Sequence, residues 1–291
     1  MYNYADYYKL SQMEYRNKNP IDKRIDNLYG LGINCFQPGE DNQYFKFPEN
    51  YEELIQSLSK KVATGLEDEK NHYVDPGEVG ITKSDQLAIK YGPIWDLPEL
   101  EQIASQIIPQ LEETIFGSHV LLSAVHIYRN LNTSADASSS WLWHYDNNPK
   151  EAVKLLIYLS DVDEDSGPFE YMKHSETGQS IKIETSRTGY DHWSPPVYPN
   201  SRIPEFVIDD WSKQGFETAQ ALGPKGPCLF FDNNNVHRAT IPAPGKTRDV
   251  VIFNIRPIVS PVVPYVTKKT CGSWKHKSPV FDPARTEAEV K

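Results

Sequence analysis

From Val120 onward the chain is a series of short runs, LLSAVHIYRNL, SWLWHYD, AVKLLIYLSDV, GPCLFFD and RDVVIFNIRP, set apart by Gly, Pro, Asn and Asp. Runs rich in β-branched and aromatic residues and bounded by turn residues read as strands. No helical pattern alternates with them, as the crossovers of a parallel sheet would require. Short strands joined by turns bury their apolar faces against a second sheet. The expected fold is therefore mainly β with flanking helices, a sandwich or jelly roll rather than a parallel α/β sheet.

Residues 1–117 have a different pattern. YEELIQSLSKKVATGLEDEK and DLPELEQIASQIIPQLEETIFG carry apolar residues three and four apart, which predicts two amphipathic helices. In the second, Pro98 and Gly117 stand where a helix starts and stops, and Pro109 predicts a kink or break. This division gives a mixed helical part over 1–117, a β core over 118–260 with a long insertion at 173–221, and a packing tail over 261–291. One domain is expected to hold all 291 residues, since all-β barrels with insertions reach this size.

Two of the strand-like runs carry metal-ligating residues. In WLWHYD, His144 and Asp146 are two apart, so an extended backbone projects both to one side while Tyr145 points away. A second histidine, His237, follows the run GPCLFFD. Two imidazoles and a carboxylate are the set that holds a non-haem iron(II) on one face and leaves its other positions open. Eleven residues after His237, Arg248 opens the last strand-like run, with Val250, Ile252 and Asn254 on its parity. A guanidinium there suits a dicarboxylate, which its planar fork grips through two charge-assisted bonds. Lys246 is the competing cation, but it falls in the Pro/Gly turn rather than on the strand.

WLWHYD, KLLIYLSDVDEDSGPFEYMKHSETG and GPCLFFDNNNVHRATIPAPGKTR together resemble the phytanoyl-CoA dioxygenase family of iron(II)- and 2-oxoglutarate-dependent oxygenases, over about residues 120–257. The resemblance implies a double-stranded β-helix core of the cupin-like jelly-roll kind. It implies His144, Asp146 and His237 as iron ligands and Arg248 as the residue that binds the distal carboxylate of 2-oxoglutarate. It also points to Tyr128 and Lys154, on the strands that line the co-substrate pocket in that family, as hydrogen-bond donors. The chain departs from the family at MKHSE, where a small PGSH-like turn is usual, and at Ala239, where a hydroxyl residue is common; Thr240 is the nearest substitute. The implied reaction consumes O2 and 2-oxoglutarate, releases succinate and CO2, and hydroxylates an unactivated C–H bond of a small molecule. Desaturation and cyclisation share that chemistry and stay open.

The 173–221 stretch leaves the core after the H-x-D run and returns before His237. Long connections of this kind are often lids, and Tyr190, His192, Trp193 and Arg202 are its candidate substrate contacts. His72, His119, His174 and His276 stand alone and read as surface or capping residues. A net charge of −10 gives no basic face for nucleic acid or an anionic membrane. Three widely spaced cysteines, Cys35, Cys228 and Cys271, form no disulfide framework and no zinc spacing, and no apolar run is long enough to span a bilayer. A reducing, cytoplasmic setting is expected. Two rivals remain at this point: a non-catalytic cupin-like metal- or ligand-binding protein, and a zinc hydrolase using the same three ligands. The sequence does not specify the oligomeric state.

Overall fold

The computed structural model describes residues 4–19, 28–73, 87–134, 136–185 and 196–268. Its helices are α1 (Tyr4–Lys18), α2 (Tyr51–Gly65), α3 (Pro98–Leu111) and α4 (Glu205–Lys213). The strands are β1 (Ile33–Phe36), β2 (His72–Tyr73), β3 (Ala88–Tyr91), β4 (His119–Asn130), β5 (Val153–Tyr158), β6 (Phe169–His174), β7 (Phe216–Ala221), β8 (Cys228–Asp232), β9 (His237–Ala239) and β10 (Arg248–Ile258). Seven of them form one sheet in the order β1-β8-β5-β10-β4-β3-β2, and β7-β6-β9 form a second. Their described pairings are antiparallel, and the two sheets enclose the interior of a double-stranded β-helix, or jelly roll.

The large sheet is covered on both faces. On its outer face Val251, Phe253 and Ile255 of β10, with Leu155 and Ile157 of β5, pack against Leu58 and Val62 of α2 and Leu100, Ile103 and Ile107 of α3. On its inner face Val250 and Ile252 join Leu156, Tyr158, Leu229 and Phe231 in a separate cluster with Phe169 of the small sheet. A strand buried on both faces needs no polar alternation, which is why the VVIF run of β10 is unbroken. Each fully buried Leu or Ile of α2 and α3 contributes on the order of 1.5–3 kcal/mol, so these helices stabilise the sheet that carries half of the site.

Helix α3 begins on Pro98 at its first turn, as expected. Pro109 does not break it: the helix runs on to Leu111 and then widens into a π turn over Glu112–Phe116. Gly117 ends it in the left-handed region (φ 56°), open to glycine without a Cβ penalty. Buried Glu112 then accepts from the Val120 amide (2.8 Å) and pairs with His119 (3.1 Å), tying this turn to the start of β4.

Three expectations change. Helix α1 was not foreseen, because the Tyr-rich N-terminus has few aliphatic residues; Tyr7, Tyr8 and Tyr15 supply its buried face instead. SWLWHYD is not a strand of its own: Ser139–Trp141 is a 3-10 turn, and pairing begins only as a bridge at His144. The 173–221 stretch is no bare loop, since it contains α4 and β7, and β7 pairs with β6 along its whole length. Of the expected tail, residues 261–268 are described, and Glu101 holds the amides of Tyr265 and Val266 (3.2 and 2.6 Å). No helix of the described residues is long and apolar enough to cross a membrane.

Candidate active site

His144 and His237 face each other on adjacent extended segments. The His144 amide donates to the His237 carbonyl (3.0 Å) and the His237 amide donates back (2.9 Å). Residues that exchange both bonds in an antiparallel pair project to the same face. Their rings are 4.3 Å apart, centroid to centroid. Two residues on, the Asp146 amide donates to the Asn233 carbonyl (3.0 Å), and Asp146 Oδ1 comes 3.8 Å from His144 Nε2. One ligand atom from each of His144, Asp146 and His237 lies within 4.8 Å of the other two, and this is the one such His/Cys/Asp/Glu cluster among the described residues.

The protonation of the set suits a metal. His144 Nδ1 lies 2.9 Å from the Leu142 carbonyl, and His237 Nδ1 lies 2.7 Å from the Asn235 carbonyl. A carbonyl only accepts, so each Nδ1 carries the proton and each Nε2 keeps its lone pair free for a metal. Burial holds both imidazoles neutral: His144 is pushed well below its usual range, and His237 falls to about 4. For Asp146, burial opposes ionisation, but the Lys154 ammonium hydrogen-bonded to it wins and the pKa falls to about 2.

The same shifts give a prediction for the chelated, metal-free protein. A histidine whose folded pKa lies below its unfolded value of 6.5 binds more protons unfolded, so stability rises with pH from about 4 to 6.5 and falls on acidification. For His237 alone the loss between pH 7 and pH 5 is about 2 kcal/mol. Urea unfolding at the two pH values measures it; His237→Gln is expected to flatten the dependence by that amount, and an unchanged slope would count against it.

The tripeptide Asn233-Asn234-Asn235, to which the sequence reading gave no role, builds the site. Asn234 mimics a strand: its Oδ1 accepts from the Asn148 amide and its Nδ2 donates to the Asn148 carbonyl, both at 3.0 Å. Asn235 donates to the carbonyls of Leu31 (3.2 Å) and Asp232 (3.0 Å), and accepts from Ser180 (2.6 Å). Both amides are fully buried; Asn234 fixes the segment after Asp146 to the segment before His237, and Asn235 ties that segment to Leu31 and Ser180. Phe169 stacks on the His237 ring (5.1 Å, 18°) and Phe231 meets it edge-on (5.4 Å), so the second histidine has little room to turn. The signal in the sequence was the density of amides in DNNNVH, since buried Asn must be hydrogen-bonded.

Arg248 opens β10 opposite Asn130 of β4, and Val250 stands opposite Tyr128 and Tyr158. Cross-strand partners share a face, so Arg248, Asn130, Tyr128, Tyr158 and Lys154 all line the interior. The guanidinium is 1% exposed and lies 5.8 Å from the centre of the Tyr158 ring. With its amide oxygen toward Arg248, Asn130 accepts from Nε (3.2 Å) and from Nη2. Nη1 is buried with no hydrogen-bond partner among the described residues. A buried charged donor without a partner is costly, and a carboxylate of an incoming molecule would satisfy it.

The other candidates separate clearly. Lys246 is turned outward and paired with Asp163 (2.6 Å), so it does not compete with Arg248. Thr240 donates to the Pro168 carbonyl (2.8 Å) and is committed there. Lys154 is in the site, but its ammonium bonds Asp146. Tyr128 lies beside Arg248, with its hydroxyl pKa raised by burial. Arg202 bridges to His144 from the side away from His237. Tyr190, His192 and Trp193 lie outside the described residues, as do His276 and Cys271. His174 accepts from the Glu176 amide (3.2 Å) and packs on Phe216, a turn-stabilising role. Cys35 and Cys228 are free thiols.

No family model matches the chain, and no curated protein matches its sequence. Solved structures do resemble it. The non-haem α-ketoglutarate-dependent carbocyclase SnoK of nogalamycin biosynthesis is 11% identical, with a TM-score of 0.51, covering 88% of this chain and 86% of that one. EctD from S. alaskensis, with 2-oxoglutarate and 5-hydroxyectoine bound, is 13% identical, with a TM-score of 0.50, covering 84% and 82%. HygX from Streptomyces hygroscopicus, with nickel, 2-oxoglutarate and hygromycin B bound, is 12% identical, with a TM-score of 0.47, covering 80% and 85%. The fold is thus the jelly roll of 2-oxoglutarate-dependent enzymes.

Proposed function

We propose that this chain is an iron(II)- and 2-oxoglutarate-dependent dioxygenase, related to the phytanoyl-CoA dioxygenase family, that hydroxylates a small molecule. The observation that carries the reading is the pairing of an oriented set, neutral His144 and His237 with ionised Asp146, with a buried Arg248 whose Nη1 has no partner among the described residues. A zinc hydrolase would use the three ligands and leave Arg248 without purpose. A non-catalytic metal-binding protein would use the free Nε2 pair but would likewise leave the buried Arg248 without purpose. The whole of residues 1–291 is read as one catalytic domain.

His144, Asp146 and His237 would hold the metal, and Arg248 the distal carboxylate of 2-oxoglutarate. Bound together, iron(II) and 2-oxoglutarate supply O2 activation and oxidation of a C–H bond, with release of succinate and CO2. The chain's own part is positional. Leu142 and Asn235 fix the tautomers through their carbonyls. Lys154 occupies Asp146 Oδ2, which leaves Oδ1, the oxygen nearer His144 Nε2, for the metal. Tyr158 spends its hydroxyl on the Ala221 carbonyl (3.0 Å) and so forms a fixed wall beside Arg248. Phe169, Phe231 and Leu156 line the interior with apolar surface and limit water around the reacting atoms.

Anaerobic addition of iron(II) and 2-oxoglutarate to the metal-free protein tests the reading. The expected result is the weak visible charge-transfer band of the chelate, with succinate formed on admission of air. A protein that shows neither is not this enzyme.

A further inference from the structure

Arg202 is a cation of the site with no task in the scheme above. It bridges to His144 on the antiparallel partner opposite His237, and Tyr171 of β6 stands opposite His237 in turn. Arg202, His144, His237 and Tyr171 therefore form one row of side chains on the inner face of the small sheet. Arg202 is partly buried, and its backbone is held by the Pro199 carbonyl (3.0 Å). Its guanidinium forms no hydrogen bond or ion pair among the described residues.

The charge balance makes that guanidinium informative. Lys154, Arg202 and Arg248 face the interior, with Asp146 as the one carboxylate that acts on Arg202. Asp146 already bonds Lys154, and a metal would take its other oxygen. A divalent metal and the dianion of 2-oxoglutarate cancel each other, and Lys154 is offset by Asp146, which leaves two positive charges, at Arg248 and Arg202. Arg248 would bond the distal carboxylate of the co-substrate, so Arg202 is the cation left without an anion to bond, in a chain whose net charge is −10. Half-buried cations are kept where something anionic meets them.

We infer that Arg202 binds a carboxylate of the primary substrate and so holds that substrate beside the metal on the His144 side. The inference rests on the oxygenase reading and adds the substrate's chemical class, a small carboxylic acid. Arg202 acts by binding and positioning; the C–H bond to be oxidised lies elsewhere on the substrate, toward the metal.

Acetate is the probe. The protein is loaded with manganese(II) and saturating 2-oxoglutarate, and the paramagnetic relaxation of the acetate methyl protons is followed against acetate concentration. The expected result is a saturable enhancement in the native protein, an apparent affinity about tenfold weaker in Arg202→Gln, and partial recovery in Arg202→Lys. The affinity for 2-oxoglutarate is expected to stay the same in both variants. Three results would overturn the inference: no saturable enhancement in the native protein, an enhancement unchanged in Arg202→Gln, or a loss of 2-oxoglutarate affinity in that variant, which would assign Arg202 to the co-substrate. If manganese(II) fails to bind, or its signal ignores 2-oxoglutarate, the oxygenase reading fails first and this inference falls with it.

Discussion

Replacing His237 by alanine is expected to weaken iron(II) binding by more than about 100-fold, since even partners that only orient a ligand are worth 10–100-fold. The ligand is oriented from three directions: the Asn235 carbonyl on Nδ1, Phe169 on one face of the ring and Phe231 against its edge. A replacement side chain would inherit none of this. Removal also leaves a cavity between the sheets, at a cost of roughly 2–4 kcal/mol in the metal-free protein. Isothermal titration with iron(II) under anaerobic conditions gives the affinity, and His174→Ala is the control. His174 is the last residue of β6, at the turn that follows and outside the metal-ligand cluster, so its variant is expected to bind iron normally. A His237→Ala protein that binds iron as the native one does would remove His237 from the ligand set.

How much of this was legible beforehand depends on whether a feature is local. His144 and Asp146 are two apart, and an extended backbone alone puts them on one side, so their partnership could be read without the fold. Arg248 could be placed on a strand because RDVVIFNIRP has the unbroken apolar character of a doubly buried strand. The meeting of His144 with His237 is different in kind. It depends on a bridge across 93 residues that no periodicity announces, and SWLWHYD, expected as a strand, pairs only through that bridge and the one to Arg202. Lys154 was placed at the pocket by the family resemblance, but not its choice of Asp146 as partner. The same holds for the Asn233-Asn234-Asn235 turn: amides are ambiguous in sequence because they serve equally in exposed turns and in buried latches. Within 173–221, proline and aromatic density suggested irregular backbone, whereas α4 and β7 are specified by what they pack on, Ile208 against Trp143 and Met172, and β7 along β6.

The small sheet also keeps paired charges away from the His144/Asp146/His237 cluster. Its outer face is occupied by Glu170, which accepts from Arg238 (2.7 Å) and Gln220 (2.9 Å), while Arg238 stacks on Trp143 at 4.4 Å. Strand alternation then sends the neighbours of these residues, His237 and Tyr171, inward. Charges that would disturb the metal are thus paired on the far side of the same strands. Arg238 and His237 are adjacent in sequence and separated by the thickness of the sheet.

Arg248→Met is expected to separate binding from stability. Loss of the guanidinium removes the partner of a buried carboxylate, which costs about 3–5 kcal/mol and weakens 2-oxoglutarate by at least about 100-fold. Affinity for the metal alone is expected to stay unchanged, since Arg248 is not among the ligand atoms. Stability should respond differently. In the free protein Arg248 is a fully buried cation whose described contacts are Asn130 and the Tyr158 ring, and its Nη1 is unsatisfied. On the proposed reading, a dicarboxylate repays its desolvation. Methionine is apolar, flexible and of similar length, so it fills the space without that penalty, although it leaves the Asn130 oxygen without its donor at a cost of about 1–3 kcal/mol. The two effects oppose, and the unliganded variant should unfold within about 1–2 kcal/mol of the native protein. Native protein, by contrast, should gain stability with added 2-oxoglutarate as a ligand that binds only the folded state requires. Denaturant melts with and without 2-oxoglutarate read both quantities. A variant that loses several kcal/mol without ligand would mark Arg248 as a structural residue, and one that keeps the ligand-induced gain would move the dicarboxylate anchor elsewhere.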